Sequence, residues 1–235
     1  MGLIATAKSK PKENFEEFLT LIYGKQKIGK SSFCADLNDP YFLDTENGLN
    51  NLDVFKTDID SWDTFKEVYK EFKAKKGKLP FKTLIIDTID NLWQMCCDYI
   101  CQQQKINHES ELDWGKGYAM IQREFNVALA AYRSLGMGLI YTSHVNEEEI
   151  ATRIGKYTHF APSMPKGCAK QIMPSVDFIL YATSIDDEKG EEKRVLYTKP
   201  SKYWEAGDRI GKLPEIMPLD AKAFMKAFKE AKESK

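Results

Sequence analysis

No stretch of this sequence approaches the roughly 20 consecutive apolar residues that a membrane-spanning helix needs, so no membrane is expected among its partners. An excess of either charge is also missing: 34 lysines and arginines stand against 35 aspartates and glutamates, a net charge of -1. That excludes a surface coated in cations, and any nucleic-acid contact has to come from a local patch. Cysteines are few and lack paired spacing. The five (Cys34, Cys96, Cys97, Cys101 and Cys168) are an odd set with no secretory signal ahead of them, which points to free thiols in a reducing cytoplasm. Cys96, Cys97 and Cys101, with His108 downstream, fit no usual zinc spacing. On a predicted helix they read as small buried apolar residues. Internal repeats, low-complexity tracts and linkers are absent as well.

What is present suits one folded unit. Apolar residues make up 43% and charged residues 29% of 235, enough for a single substantial core. We expect a flexible N-terminal extension over 1–17 and one domain over 18–235. The opening "MGLIAT" matches the short myristoylation pattern at Gly2 and Thr6, a pattern too brief to displace the reading of an ordinary frayed terminus.

Strand and helix patterns alternate, as a mostly parallel sheet with crossover helices requires. Strands are expected at 18–23, 41–45, 83–87 ("TLIID", at the sheet centre) and 138–144 ("GLIYTSH"). Two late strands, 176–182 and 194–199, bracket the turn "DDEKGEE" as a hairpin. Helices are expected at 30–37, from Ser61 to about Lys76, at 91–104, at 118–135 and at 219–233. The stretch 145–175, with three prolines and three consecutive glutamates, reads as a long loop, and loops of that length in compact domains are often functional.

Between the first strand and first helix, "GKQKIGKS" satisfies G-x-x-x-x-G-K-[ST]. In such a loop (Gly24, Lys25, Gln26, Lys27, Ile28, Gly29, Lys30, Ser31 and Ser32) glycines let backbone N–H groups turn inward around phosphate oxygens. Lys30 supplies a cation to the β- and γ-phosphates, and the Ser31 hydroxyl ligates Mg²⁺. Composition alone gives this pattern in roughly one chain in a hundred of this length, and the flanking apolar strand and helix lower that further. ATP and Mg²⁺ are the implied ligands.

Two carboxylates follow at strand ends. Asp87 closes "TLIID", where it can hold Mg²⁺ through water. Glu46, just past "YFLD", is placed to orient or deprotonate a water beside the γ-phosphate; Asp44, inside that strand, reads as structural. A small-molecule kinase would share the loop, but no arginine-rich lid is visible.

"FLDTENGL" resembles the segment that carries the catalytic glutamate in bacterial RecA recombinases. The order of phosphate loop, strand with Glu, strand with Asp and then "YTSH" is similar to the RecA core, and with the tail "YTKPSKYWEAGDRIGKLPEIMPLD" the chain most resembles small phage-encoded AAA/RecA-like ATPases of the single-strand annealing type. The likeness covers most of residues 18–220. It implies a RecA-like P-loop core with a mostly parallel central sheet, helices on both faces and a late antiparallel strand pair. It also implies a γ-phosphate sensor at His144, or at Ser143 beside it, and cations at Lys199, Lys202 or Arg209 that reach a neighbouring subunit's nucleotide. The 145–175 stretch would correspond to a loop touching single-stranded DNA, through Arg153, Lys156, Lys166 and Lys170, with Tyr157 and Phe160 available to stack on bases. The function implied is a cytoplasmic, self-assembling ATPase acting on single-stranded DNA in recombination or annealing, with a single-strand-binding or replication protein as a further partner. An alternative stays open: an ATP-switched module that recruits such a partner, its hydrolysis incidental.

Overall fold

Strict alternation along the apolar strands divides their side chains between two cores. In "TLIID", Leu84 and Ile86 face one core and Ile85 the other, the period of two that a pleated strand imposes. All five residues are buried because both faces are covered. The computed structural model describes residues 8–153 and 155–233; the myristoylation-like pattern at Gly2 and Thr6 lies outside the described residues.

In chain order the elements are β1 (Leu19–Gly24), α1 (Lys30–Ala35), β2 (Pro40–Asp44), β3 (Phe55–Asp58), α2 (Trp62–Ala74), β4 (Thr83–Asp87), α3 (Ile89–Gln104), α4 (Lys116–Arg133) and β5 (Gly138–Ser143). They continue with β6 (Val145–Thr152), β7 (Gly155–Pro162), α5 (Lys166–Ile172), β8 (Phe178–Asp186), β9 (Glu192–Tyr197), β10 (Gly207–Asp208), β11 (Ile216–Pro218) and α6 (Ala221–Glu233). The main sheet runs β11-β9-β8-β1-β5-β4-β2-β3, with β10 also on β8. From β8 to β3 every neighbouring pair is parallel. β9 and β10 lie antiparallel to β8, and β11 lies antiparallel to β9. This is the expected α/β class with its late antiparallel pair. β4 is an interior strand, but β1 and β5 stand between it and β8, nearer the middle.

Helices α2 to α5 cover one face and α1 and α6 the other. Ser61 starts α2 by accepting the Thr64 amide at 3.1 Å on its hydroxyl, and Trp62, Phe65 and Phe72 turn inward from that helix. All five cysteines are free and buried. Among the described residues no helix is long and apolar enough to cross a membrane.

Two expectations need correction, and one strand was not expected. The stretch 145–175 is not a loop: β6 and β7 pair antiparallel from Val145↔Pro162 to Thr152↔Gly155, and α5 follows. Most of β6 is exposed, so no burial sorted its residues into an alternating pattern. The flexible extension does not reach 17, because Phe15 is buried against Phe178, Phe224 and Phe228. A single phenylalanine between Asn14 and Glu16 carries no period to announce it. Finally β3, "FKTD", is an edge strand whose Phe55 stays exposed against Phe81, too short and too polar to read as a strand.

Candidate nucleotide-binding site

Register brings the carboxyl ends of the central strands into one row. Tyr23 pairs with Ser143, Ile86 with Tyr141 and Asp44 with Asp87. The loop after β1, His144 after β5, Asp87 at the end of β4 and Glu46 after β2 therefore share one edge of the sheet, where open parallel sheets bind ligands.

The loop's two glycines are required for different reasons. A Cβ on Gly24 would sit 2.2 Å from the Ala182 carbonyl oxygen of β8, so this glycine permits close strand packing. Gly29 has φ +113°, in the region that L side chains avoid. Between them Lys25, Gln26 and Lys27 are exposed and Ile28 is half-buried. Lys30 is buried and donates to the carbonyls of Gly24 and Lys25, both at 3.0 Å. Its cation is thus held across the inside of the loop. Burial lowers its pKa, and Asp87 and Glu46 push the other way. Helix α1 has six residues, ending before the expected Leu37; Ser32 is exposed in its first turn.

Ser31 Oγ donates to Asp87 Oδ2 at 2.6 Å, and the Thr142 hydroxyl of β5 donates to the other oxygen of that carboxylate. Burial raises the Asp87 pKa while these two hydroxyls oppose it. A hydroxyl and a carboxylate converging beside the loop are hard oxygen donors of the kind Mg²⁺ selects, so the residues fit the ion the motif implies.

Glu46 is presented by a turn that Asp44 shapes. Asp44 accepts the amides of Glu46 (3.2 Å) and Gly48 (3.4 Å) and the Lys56 ammonium (3.0 Å). Reciprocal bonds between Thr45 and Thr88, at 2.8 and 3.0 Å, lock the ends of β2 and β4 together. Glu46 Oε1 then lies 2.9 Å from both the Thr88 hydroxyl and His144 Nε2. The His144 bond lowers the Glu46 pKa, and the same bond raises that of His144.

A pH dependence with a definite sign follows. His144 carries a raised pKa in the fold, so its contribution to stability is complete below its unfolded value of about 6.5 and is lost as pH rises through the raised value. Glu46 carries a lowered pKa, so its contribution is complete above about 4.5 and is lost as pH falls through the lowered value. Between about pH 4.5 and 6.5, His144→Ala should therefore melt ~2 °C below the wild type, from a partly exposed pair worth up to ~1 kcal/mol. The gap should close toward pH 9. Melting curves across that range check it, and a constant gap would exclude the ion pair.

Sequence reasoning missed Asp90, which is half-buried within α3's first turn. It accepts from the hydroxyls of Ser143 (3.0 Å) and Ser163 (3.2 Å) and from the His144 amide (3.3 Å). It thus ties the end of β5 and the segment after β7 to α3. Its signal was in plain view: "DTID" repeats an aspartate one helical turn after Asp87.

Other expected site residues lie elsewhere. The Lys199 ammonium sits 2.7 Å from the buried Asp208 carboxylate. Arg209 pairs with Asp177 at 3.3 Å and donates to the Val176 carbonyl, at the amino end of β8, away from the loop. Lys202 lies over the rings of Tyr203 and Tyr157, 4.8 and 5.8 Å from their centres. Arg153 is exposed at the β6–β7 turn, Lys156 pairs with Glu149 at 2.6 Å, and Lys166 and Lys170 are exposed on α5. Tyr157 and Phe160, expected to stack on bases, are each half-buried beside a ring of their own chain. Tyr157 packs edge-on against Tyr203, and Phe160 stacks on Tyr181, each at 5.7 Å between ring centres.

A phosphate loop between the first strand and first helix of a mostly parallel sheet, with a hydroxyl, two carboxylates and a histidine gathered at adjacent strand ends, defines a P-loop nucleotide-binding protein of the ATPase type. A family model described as AAA domain matches residues 17–210, and the chain belongs to that family. It is also 27% identical over 224 residues to the SPbeta prophage-derived uncharacterized protein YorG of Bacillus subtilis (strain 168). That match covers 90% of this chain and 66% of the relative, so the chain spans just under two thirds of that protein's length.

Proposed function

We propose that the protein binds and hydrolyses ATP with Mg²⁺, assembles with copies of itself as a ring or filament, and acts on single-stranded DNA in recombination or annealing. The observation that carries the hydrolysis is Glu46, ionised and held by Thr88 and His144 in the same row of strand ends as Lys30 and Asp87. In this reading Glu46 orients the attacking water and accepts its proton, and Lys30 balances charge on the phosphates. Ser31 and Asp87 would hold Mg²⁺, which when bound neutralises charge on the β- and γ-phosphates.

For the DNA half, support comes from the β6–β7 hairpin. It leaves the sheet directly after His144, and its Glu147 reaches back to Lys25 of the phosphate loop at 3.4 Å. A change at the nucleotide thus has two routes into the hairpin, beside which Lys202 and Tyr203 are exposed. The prophage origin in the relative's name fits a phage protein working in its host's cytoplasm, alongside a single-strand-binding or replication partner.

ATP turnover with and without single-stranded DNA at low salt tests this. We expect stimulation by DNA and a mobility shift; absence of both would remove the DNA half. The Glu147–Lys25 contact bypasses Glu46, which favours a second reading, the ATP-switched binding module. If Glu46→Gln stops turnover yet leaves ATP-dependent annealing intact, that reading holds.

A further inference from the structure

Of the cations expected to act on a neighbour's nucleotide, Lys199 and Arg209 are held by carboxylates of their own chain and Lys202 lies over aromatic rings, yet one late cation stands against the phosphate loop itself. Arg194 lies on β9 and pairs across the ribbon with Ser184, two residues beyond the Gly24↔Ala182 pair that ends β1. It therefore overhangs the edge of the sheet where the loop sits. Leu196, two positions further along the strand, is buried in the core under α1 and α6, so Arg194 points to the same side as α1.

Two measurements place its head group. A Cβ built on Gly29 would meet Arg194 Nη1 at 3.4 Å and Leu219 Cδ2 at 3.5 Å. The Leu219 amide donates to the Arg194 carbonyl at 3.0 Å, so backbone pairing to β8 and to this segment fixes the residue from both sides. Among the described residues the guanidinium makes no ion pair and no hydrogen bond, although Lys193 beside it pairs with Asp187 at 2.7 Å. Arg194 is exposed, so this unpaired guanidinium beside the glycine next to Lys30 is open to a ligand, and its planar fork matches phosphate oxygens.

We infer that Arg194 is a nucleotide-binding residue that acts within its own subunit, donating to the phosphate chain of a nucleotide held in the loop. The inference rests on the reading of Gly24 to Ser32 as a nucleotide site. It assigns β9 a role besides sheet formation.

Titration with N-methylanthraniloyl ADP and ATP tests this on wild type, Arg194→Met, Arg194→Lys and Lys30→Ala, with a melting curve of each unliganded protein. Arg194→Met keeps most of the stem and should weaken both nucleotides about 10-fold or more, as loss of a charge-assisted contact does. Its unliganded melting temperature should stay at the wild-type value, and Arg194→Lys should recover part of the affinity. Wild-type binding that Lys30→Ala reduces but Arg194→Met leaves within twofold would overturn the inference and spare the nucleotide site. No binding by the wild type, or binding indifferent to Lys30→Ala, would overturn both.

Discussion

Glu46→Gln lowers the ATP turnover number by an expected ~10²–10⁴-fold, the span that general acid–base groups contribute, while ATP still binds. Glutamine keeps the size of the side chain and an oxygen that can accept the Thr88 hydroxyl, now 2.9 Å from Glu46 Oε1. The turn shaped by Asp44 and the Thr45–Thr88 lock does not involve the Glu46 carboxylate. What is lost is the ability to take a proton from water. The His144 bond lowers the Glu46 pKa, so at neutral pH the wild-type residue is ionised and that ability is present. Phosphate release measured at saturating ATP, together with a nucleotide titration, separates chemistry from binding. A fall of less than tenfold would remove Glu46 as the base, and a matching loss of affinity would make it a binding residue.

Phe224→Ala is expected to cost about 3–5 kcal/mol of stability, the range for truncating a buried phenylalanine. Phe224 is fully buried on α6 and meets the rings of Phe15, Phe33 and Phe178 at 4.9, 5.7 and 6.4 Å between centres. Edge-to-face contacts of this kind add to plain burial, and three rings from three elements have no common direction in which to collapse. Phe33 is part of α1, directly after the phosphate loop, so the cavity would also loosen the support of Ser31. Urea unfolding should show a lower midpoint with an unchanged slope. A loss under ~1 kcal/mol would mean that α6 adds little to the fold, well below the usual cost of a core truncation.

The phosphate loop was legible because its chemistry is local. Gly24, Gly29, Lys30 and Ser31 sit within eight residues of one another, and a strand and a helix flank them in any context. Asp87 and Glu46 were legible for a related reason: each follows an apolar run that can only be a strand, and strand ends are where such sheets work. Phe15 and the β6–β7 hairpin were not legible. The first is one apolar residue among charges, and the second is a ribbon with little buried face, so neither leaves a period in the sequence.

The late cations separate what is local from what is not. Arg194, Lys199, Lys202 and Arg209 look alike in sequence, each a basic residue in or after a late strand. Pairing sends Lys199 to Asp208, Arg209 to Asp177 and Lys202 onto aromatic rings, and leaves only Arg194, of these four, beside Gly29. Local sequence thus determined the phosphate loop, its place between β1 and α1, and the alternation that builds the sheet, because nearest neighbours and side-chain period suffice for those. Tertiary structure alone decided which late cation lies beside the loop, that Asp90 meets the end of β5 and that His144 bonds Glu46. Those contacts join residues tens to over a hundred positions apart, and only the order and register of strands sets their distance.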